Sequence, residues 1–125
     1  MTREFQSIYN EAQEAGLEAV KRCTPTPMVV QSVDAYGRPT EGSQPEVIDD
    51  GVCGFAWVNV KPATTKFARW MKAEGLARAD SYYGGLLIWV SEFNQSMEKK
   101  ETYARAFAQV LTNHGYTAYP MSRMD

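Results

Sequence analysis

"LARADSYYGGLLIWV", residues 76–90, decides how the second half of this chain folds. Its last five residues are apolar without alternation, as in an interior strand covered on both faces. The ten before them hold Arg78, Asp80, Ser81 and the pair Gly84–Gly85. They read as a connecting segment, so the strand is entered from a helix and a linker and not from a tight turn.

Working upstream, "GVCGFAWVNV" (51–60) reads as another interior strand. Val52, Ala56, Val58 and Val60 alternate with Cys53, Phe55 and Trp57, leaving neither side polar. "PATTKFARWMKAEG" (62–75) predicts a helix capped by Thr64 or Thr65, with Phe67, Trp70 and Met71 on its apolar face. Downstream, "SMEKKETYARAFAQVLTNHG" (96–115) predicts a longer helix with Tyr103, Phe107, Val110 and Leu111 on one stripe. "YTAYPM" (116–121) closes as a strand, and Pro120 marks it as an edge or a strand end.

The first half is simpler. Residues 3–22 carry Phe5, Ile8, Tyr9, Ala12, Gly16, Ala19 and Val20 at helical spacing, and "CTPTP" then stops the helix. "MVVQSV" (28–33) is a short strand candidate. Residues 34–50, rich in Gly, Pro and acidic side chains, form a long loop or a loose hairpin anchored by Val47 and Ile48.

The order strand, helix, strand, helix, strand implies crossover connections, which join parallel strands. The expected fold class is therefore α/β, with α+β as the alternative, in one domain spanning 1–125. It is a small mixed, mainly parallel sheet with two crossover helices on one face and the N-terminal helix on the other. The strand near residue 30 would add an edge.

In open parallel sheets ligands collect beyond the carboxyl ends of the strands. That rule gathers Thr64, Thr65 and Lys66, then Asn94, Gln95 and Ser96, then Arg123 onto one rim. Two helix N-termini would point there, favouring an anion, with Lys66 and Arg123 supplying charge. Plain capping by Ser96 and a turn at Asn94 account for those residues without a ligand. Tyr82 and Tyr83 beside paired glycines are either a stacking platform for a flat ring or core-edge residues.

Several classes are disfavoured. At 125 residues, with a formal charge of -2 and a pI near 5.4, the chain lacks the basic excess of a general nucleic-acid binder. A local basic patch is compatible with that balance. Cys23 and Cys53 follow no metal-site spacing and read as reduced, buried thiols, so neither a metal nor a cofactor is expected. Cys53 in particular reads as an inert core residue. His114 has no visible nucleophile beside it, and Lys99 and Lys100 with Glu98 and Glu101 read as a solvated helix face. No signal-like N-terminus or membrane-length apolar run occurs, which implies a cytoplasmic protein with no membrane partner.

Three stretches carry a resemblance: "GVCGFAWVNVKPATTKFARWMK" (51–72), "YYGG…IWVS…NQSMEKKETYARAFAQVL" (82–111) and "SRMD" (122–125). They resemble a group of small, uncharacterised proteins of tailed bacteriophages and prophages. The resemblance implies a phage-encoded accessory protein made in the bacterial cytoplasm. Small phage proteins of this kind often act by binding a host or defence component, while the polar rim points instead to a small anionic ligand such as a nucleotide; no activity of the group carries over to these residues. One alternative is a small enzyme on a phosphorylated metabolite, with Glu92, Asp125, Tyr82 or Tyr83 as the available bases. The other is a homodimeric interaction protein pairing through an exposed edge strand.

Overall fold

A chain reversal at residues 80–85 sets the architecture. The structure is a computed structural model that describes residues 2–24, 28–30, 46–48, 52–93 and 96–125. Of 28–30 and 46–48 the backbone alone is described. The elements are α1 (Thr2–Lys21), β1 (Met28–Val30), β2 (Glu46–Ile48), β3 (Gly54–Lys61), α2 (Lys66–Ala73), β4 (Arg78–Ala79), β5 (Leu86–Trp89), α3 (Met97–Asn113) and β6 (Thr117–Met124).

The main sheet has four strands in the order β4-β5-β3-β6, and every neighbouring pair is antiparallel. The expected parallel sheet is thus replaced by an α+β arrangement. The segment taken as a linker contains β4, which turns directly into β5. That one extra strand reverses β5 relative to β3. Each helical connection still joins strands of the same direction, β3 to β4 and β5 to β6, but an antiparallel strand lies between them. This is the connectivity of the split β-α-β unit, repeated once. β1 does not extend this sheet; it pairs with β2 in a separate two-stranded one.

Helix starts follow the local chemistry. Thr65 Oγ1 accepts the Ala68 amide at 3.0 Å, and Ser96 Oγ accepts the Lys99 amide at 3.3 Å. Each hydroxyl satisfies a donor that the helix itself leaves without a partner.

All three helices share one side of the sheet. Ala56, Val58 and Val60 of β3, with Leu86 and Ile88 of β5, meet Phe67, Met71, Phe107 and Leu111 in one core. α1 joins that same core rather than covering the opposite face as expected. Its Phe5 ring lies 5.5 Å from Phe67 and its Tyr9 ring 5.3 Å from Phe107. Burial first, and then the charge of Glu92, raises the Tyr9 and Tyr103 hydroxyls above the ordinary phenol value.

Two side chains defy their composition. Lys100 is buried, its stem in the interior and its Nζ donating to the Gly54 carbonyl at 3.2 Å, so it is not part of a solvated face. Cys53, expected in the core, is exposed, because regular β3 begins one residue later.

β6 lies at the long edge of the sheet, as Pro120 implies. The Asp125 amide donates to the Cys53 carbonyl and the Val90 amide to the Ala56 carbonyl. Odd residues of β3 therefore bond to β6 and even ones to β5. Pro120 is paired with Val58, an even position, so its missing N–H falls on the outer side. The proline costs the sheet no bond while interrupting the edge that another strand would use.

Packing of α1 on α3 depends on Gly16. A Cβ there would stand 2.6 Å from a ring carbon of buried Tyr103. Overpacking of this kind costs ~1–3 kcal/mol, against a helix-propensity gain of about 1. Gly16→Ala is therefore expected to destabilise the fold by on the order of 1 kcal/mol, read from urea unfolding followed by circular dichroism.

Candidate functional site

The sheet's second face is aromatic. Alternation along β3 turns Phe55, Trp57 and Asn59 away from the helices, and cross-strand register places Trp89 opposite Trp57 and Leu87 opposite Asn59. Trp57 and Trp89 form a pair without backbone bonds between them, the kind in which side chains stand closest. Their rings stack at 5.9 Å and 11°. Phe55 lies 5.5 Å from Trp89, Tyr83 lies 6.4 Å from Trp57, and Tyr82 lies 4.6 Å from Tyr83. Five rings thus run in one ribbon across the face. Trp57 is nearly covered by its neighbours, whereas Trp89 is 40% exposed and Tyr82 84%.

Asp80 builds the end of this ribbon. Its Oδ1 accepts the backbone amides of Tyr82 and Tyr83 at 3.0 and 2.9 Å. Its Oδ2 accepts from Asn59 Nδ2 at 3.0 Å, and the same amide group donates to the Gly84 carbonyl at 2.9 Å. Gly85 completes the turn: its φ is +69°, and a Cβ would stand 2.3 Å from the Val60 carbonyl oxygen. The amide of Tyr83 is the largest cause holding the Asp80 carboxyl below its ordinary value, aided by Tyr82, Asn59 and Lys61.

Cations border the rings. Arg78 lies 6.0 Å from the Trp89 ring centre, and Arg123 and Lys100 each lie 5.5 Å from that of Phe55. Among the described residues no carboxylate forms an ion pair with Arg78 or Arg123. A groove of about 450 Å³ opens between Trp57, Asp80, Tyr82, Tyr83, Trp89 and Arg123. A broader depression of about 1060 Å³ lies along the first turns of α1 near Glu11 and His114. It has no aromatic wall, and its His114 Nε2 is already bonded to Glu11, so we place the candidate site on the sheet.

The residues expected on one rim are divided between two ends. Thr64, Thr65 and Lys66 follow the carboxyl end of β3. Ser96 bridges Cys53, and Arg123 pairs with Phe55, both at the amino end of β3. The anion rim built on parallel strands is therefore not formed. Asn94 and Gln95 lie outside the described residues. What the fold does assemble is Tyr82, Tyr83 and Arg123, in one groove with Trp57 and Trp89. Trp57 and Trp89 are not among the site residues expected from the sequence, since alternation between two apolar faces does not say which face the helices cover. Arg78 and Asp80 were hidden by the reading of 76–85 as a linker. The spacing Asp80–Tyr82–Tyr83 is itself an Asx-type turn signal.

Among the described residues no group of three His, Cys, Asp or Glu side chains could hold a metal ion. No helix among them is long and apolar enough to cross a membrane.

Asp80 offers a direct check. Asp80→Ala removes three acceptor contacts and leaves a donor of the buried Asn59 amide unpaired, costing ~1–3 kcal/mol. Tryptophan emission should shift to the red as Tyr83 leaves Trp57. The fold favours the ionised carboxyl, so its contribution is complete above the unfolded value of about 3.9 and fades as pH falls below it. An emission profile flat from pH 6 to 2.5 would show that Asp80 does not hold the turn. No family model, no curated protein and no solved structure matches the chain.

Proposed function

We propose that the protein is a binding module whose open sheet face takes up a planar, aromatic, anionic ligand, with a nucleotide as the chemical type. The observation that carries this reading is the stacked Trp57–Trp89 pair with Arg78 and Arg123 at its borders. A nucleobase can pack against the exposed Trp89 of this pair, and its phosphate meets guanidinium groups able to bond it with two prongs. The local charge of Arg78 and Arg123 favours an anion although the whole chain carries -2.

Binding is favoured over catalysis because the carboxylate lining the groove, Asp80, is committed to three hydrogen bonds that shape the loop. A general base needs a lone pair aimed at a substrate proton, and here three of the carboxylate's acceptor positions are turned to the protein. Stacking supplies ~1–3 kcal/mol per base and charged hydrogen bonds ~1.5–3 each. After the cost of immobilising the ligand, a single nucleotide should bind in roughly the 0.1–1 mM range.

Quenching of tryptophan emission by a nucleoside monophosphate measures this directly. Trp89→Ala and Arg123→Ala should each weaken binding by roughly tenfold, with unchanged far-ultraviolet circular dichroism. Equal affinity in parent and both variants would remove the sheet face from the function.

A further inference from the structure

We infer that the face takes a single-stranded nucleic acid, with a second base held at Tyr82, rather than one free nucleotide. This rests on the reading of the face as a nucleotide site and extends it.

The first reason is length. A base seated against the exposed Trp89 leaves the Tyr83–Tyr82 end of the ribbon uncovered, with the nearly covered Trp57 between them. Tyr82 stands at 70° to the Tyr83 ring, so it forms a wall beside the platform instead of extending it. A neighbouring base splayed from the first can stack against that wall. Free nucleotides have nothing to place there.

The second reason is rigidity. Exposed tyrosines on a slack loop would lose entropy on binding. Here the loop is held by the Tyr82 and Tyr83 amides on Asp80, by Asn59 on Asp80 and Gly84, and by the Gly84 amide on the Asp80 carbonyl at 3.1 Å. The backbone that carries the 84% exposed Tyr82 ring is thus held in position before any ligand arrives.

The third reason is the placement of charge. Arg123 borders Phe55 at one end, Arg78 borders Trp89 beside it, and the Lys61 side chain lies beside Gly85 at the other. Cations repeat along the ribbon, as a phosphate backbone requires. Asp125 follows Arg123 at the rim, beyond the rings. A duplex hides its base faces and cannot use the rings, so the site selects single strands.

The test compares thymidine monophosphate, an oligothymidylate of about ten residues and the same oligomer annealed to its complement, each titrated against tryptophan emission. The single strand should bind roughly 10- to 100-fold tighter than the monophosphate and lose affinity as salt rises. The duplex should bind no better than the monophosphate. Tyr82→Ala should move the ratio of oligomer to monophosphate affinity toward one. Equal affinities for oligomer and monophosphate, with Tyr82→Ala without effect on their ratio, would overturn the single-strand inference while leaving the nucleotide site standing. Failure of every nucleotide to quench would overturn both. A stable dimer by light scattering, with emission of Trp89 shielded from acrylamide, would assign the face to a second copy of the chain and also overturn the inference.

Discussion

Asn59 is a buried amide in the middle of an otherwise apolar strand, and its Nδ2 group bonds Asp80 and Gly84 across the sheet. A polar side chain at 2% exposure must find partners or cost ~1–3 kcal/mol. Asn59 finds them only if the chain turns back at 80–85. That reversal makes β5 run against β3, and the antiparallel order of the sheet follows from it. The same hydrogen bonds hold the two tyrosines over Trp57. One interaction therefore couples the topology of the domain to the shape of its groove.

The sheet divides its labour by face. The helical side holds aliphatic residues and small alanines, Ala56, Ala68, Ala104 and Ala108, against which large rings close. On the other side the rings are mutual neighbours, and Trp89, Tyr83 and Tyr82 stand open to water. Leaving Trp89 and Tyr82 exposed forgoes part of the ~1.5–3 kcal/mol that burying a large side chain contributes. Apolar surface that a fold leaves out in this way, bordered by arginines, is what a recognition surface needs.

Net charge is a poor guide here. The acidic balance of the whole chain concerns long-range attraction and solubility, while a ligand on the sheet meets Arg78 and Arg123 at short range. Screening over about 8–10 Å at ordinary ionic strength separates the two scales. A weakly acidic chain can thus present a cationic, aromatic face.

Much of the fold could be read from residue order alone. The three helices, their caps at Thr65 and Ser96, and the edge character of β6 follow from local chemistry: hydroxyls that accept orphan amides, and a proline that cannot donate. The tyrosine pair and Arg123 were visible as candidates for the same reason, being unusual residues in unusual company. Strand direction was not legible, because β4 is two residues long and exposed, too short to show a period of two. Which side of β3 meets the helices was equally hidden, since Phe55 and Trp57 are as apolar as Ala56 and Val58. Those choices depend on partners 20 to 70 residues away, Asn59 with Asp80 and Phe55 with Arg123. Long-range pairing of that kind is energetic information that no local window contains, and it decides that Trp70 packs against the core while Trp57 and Trp89 line a groove.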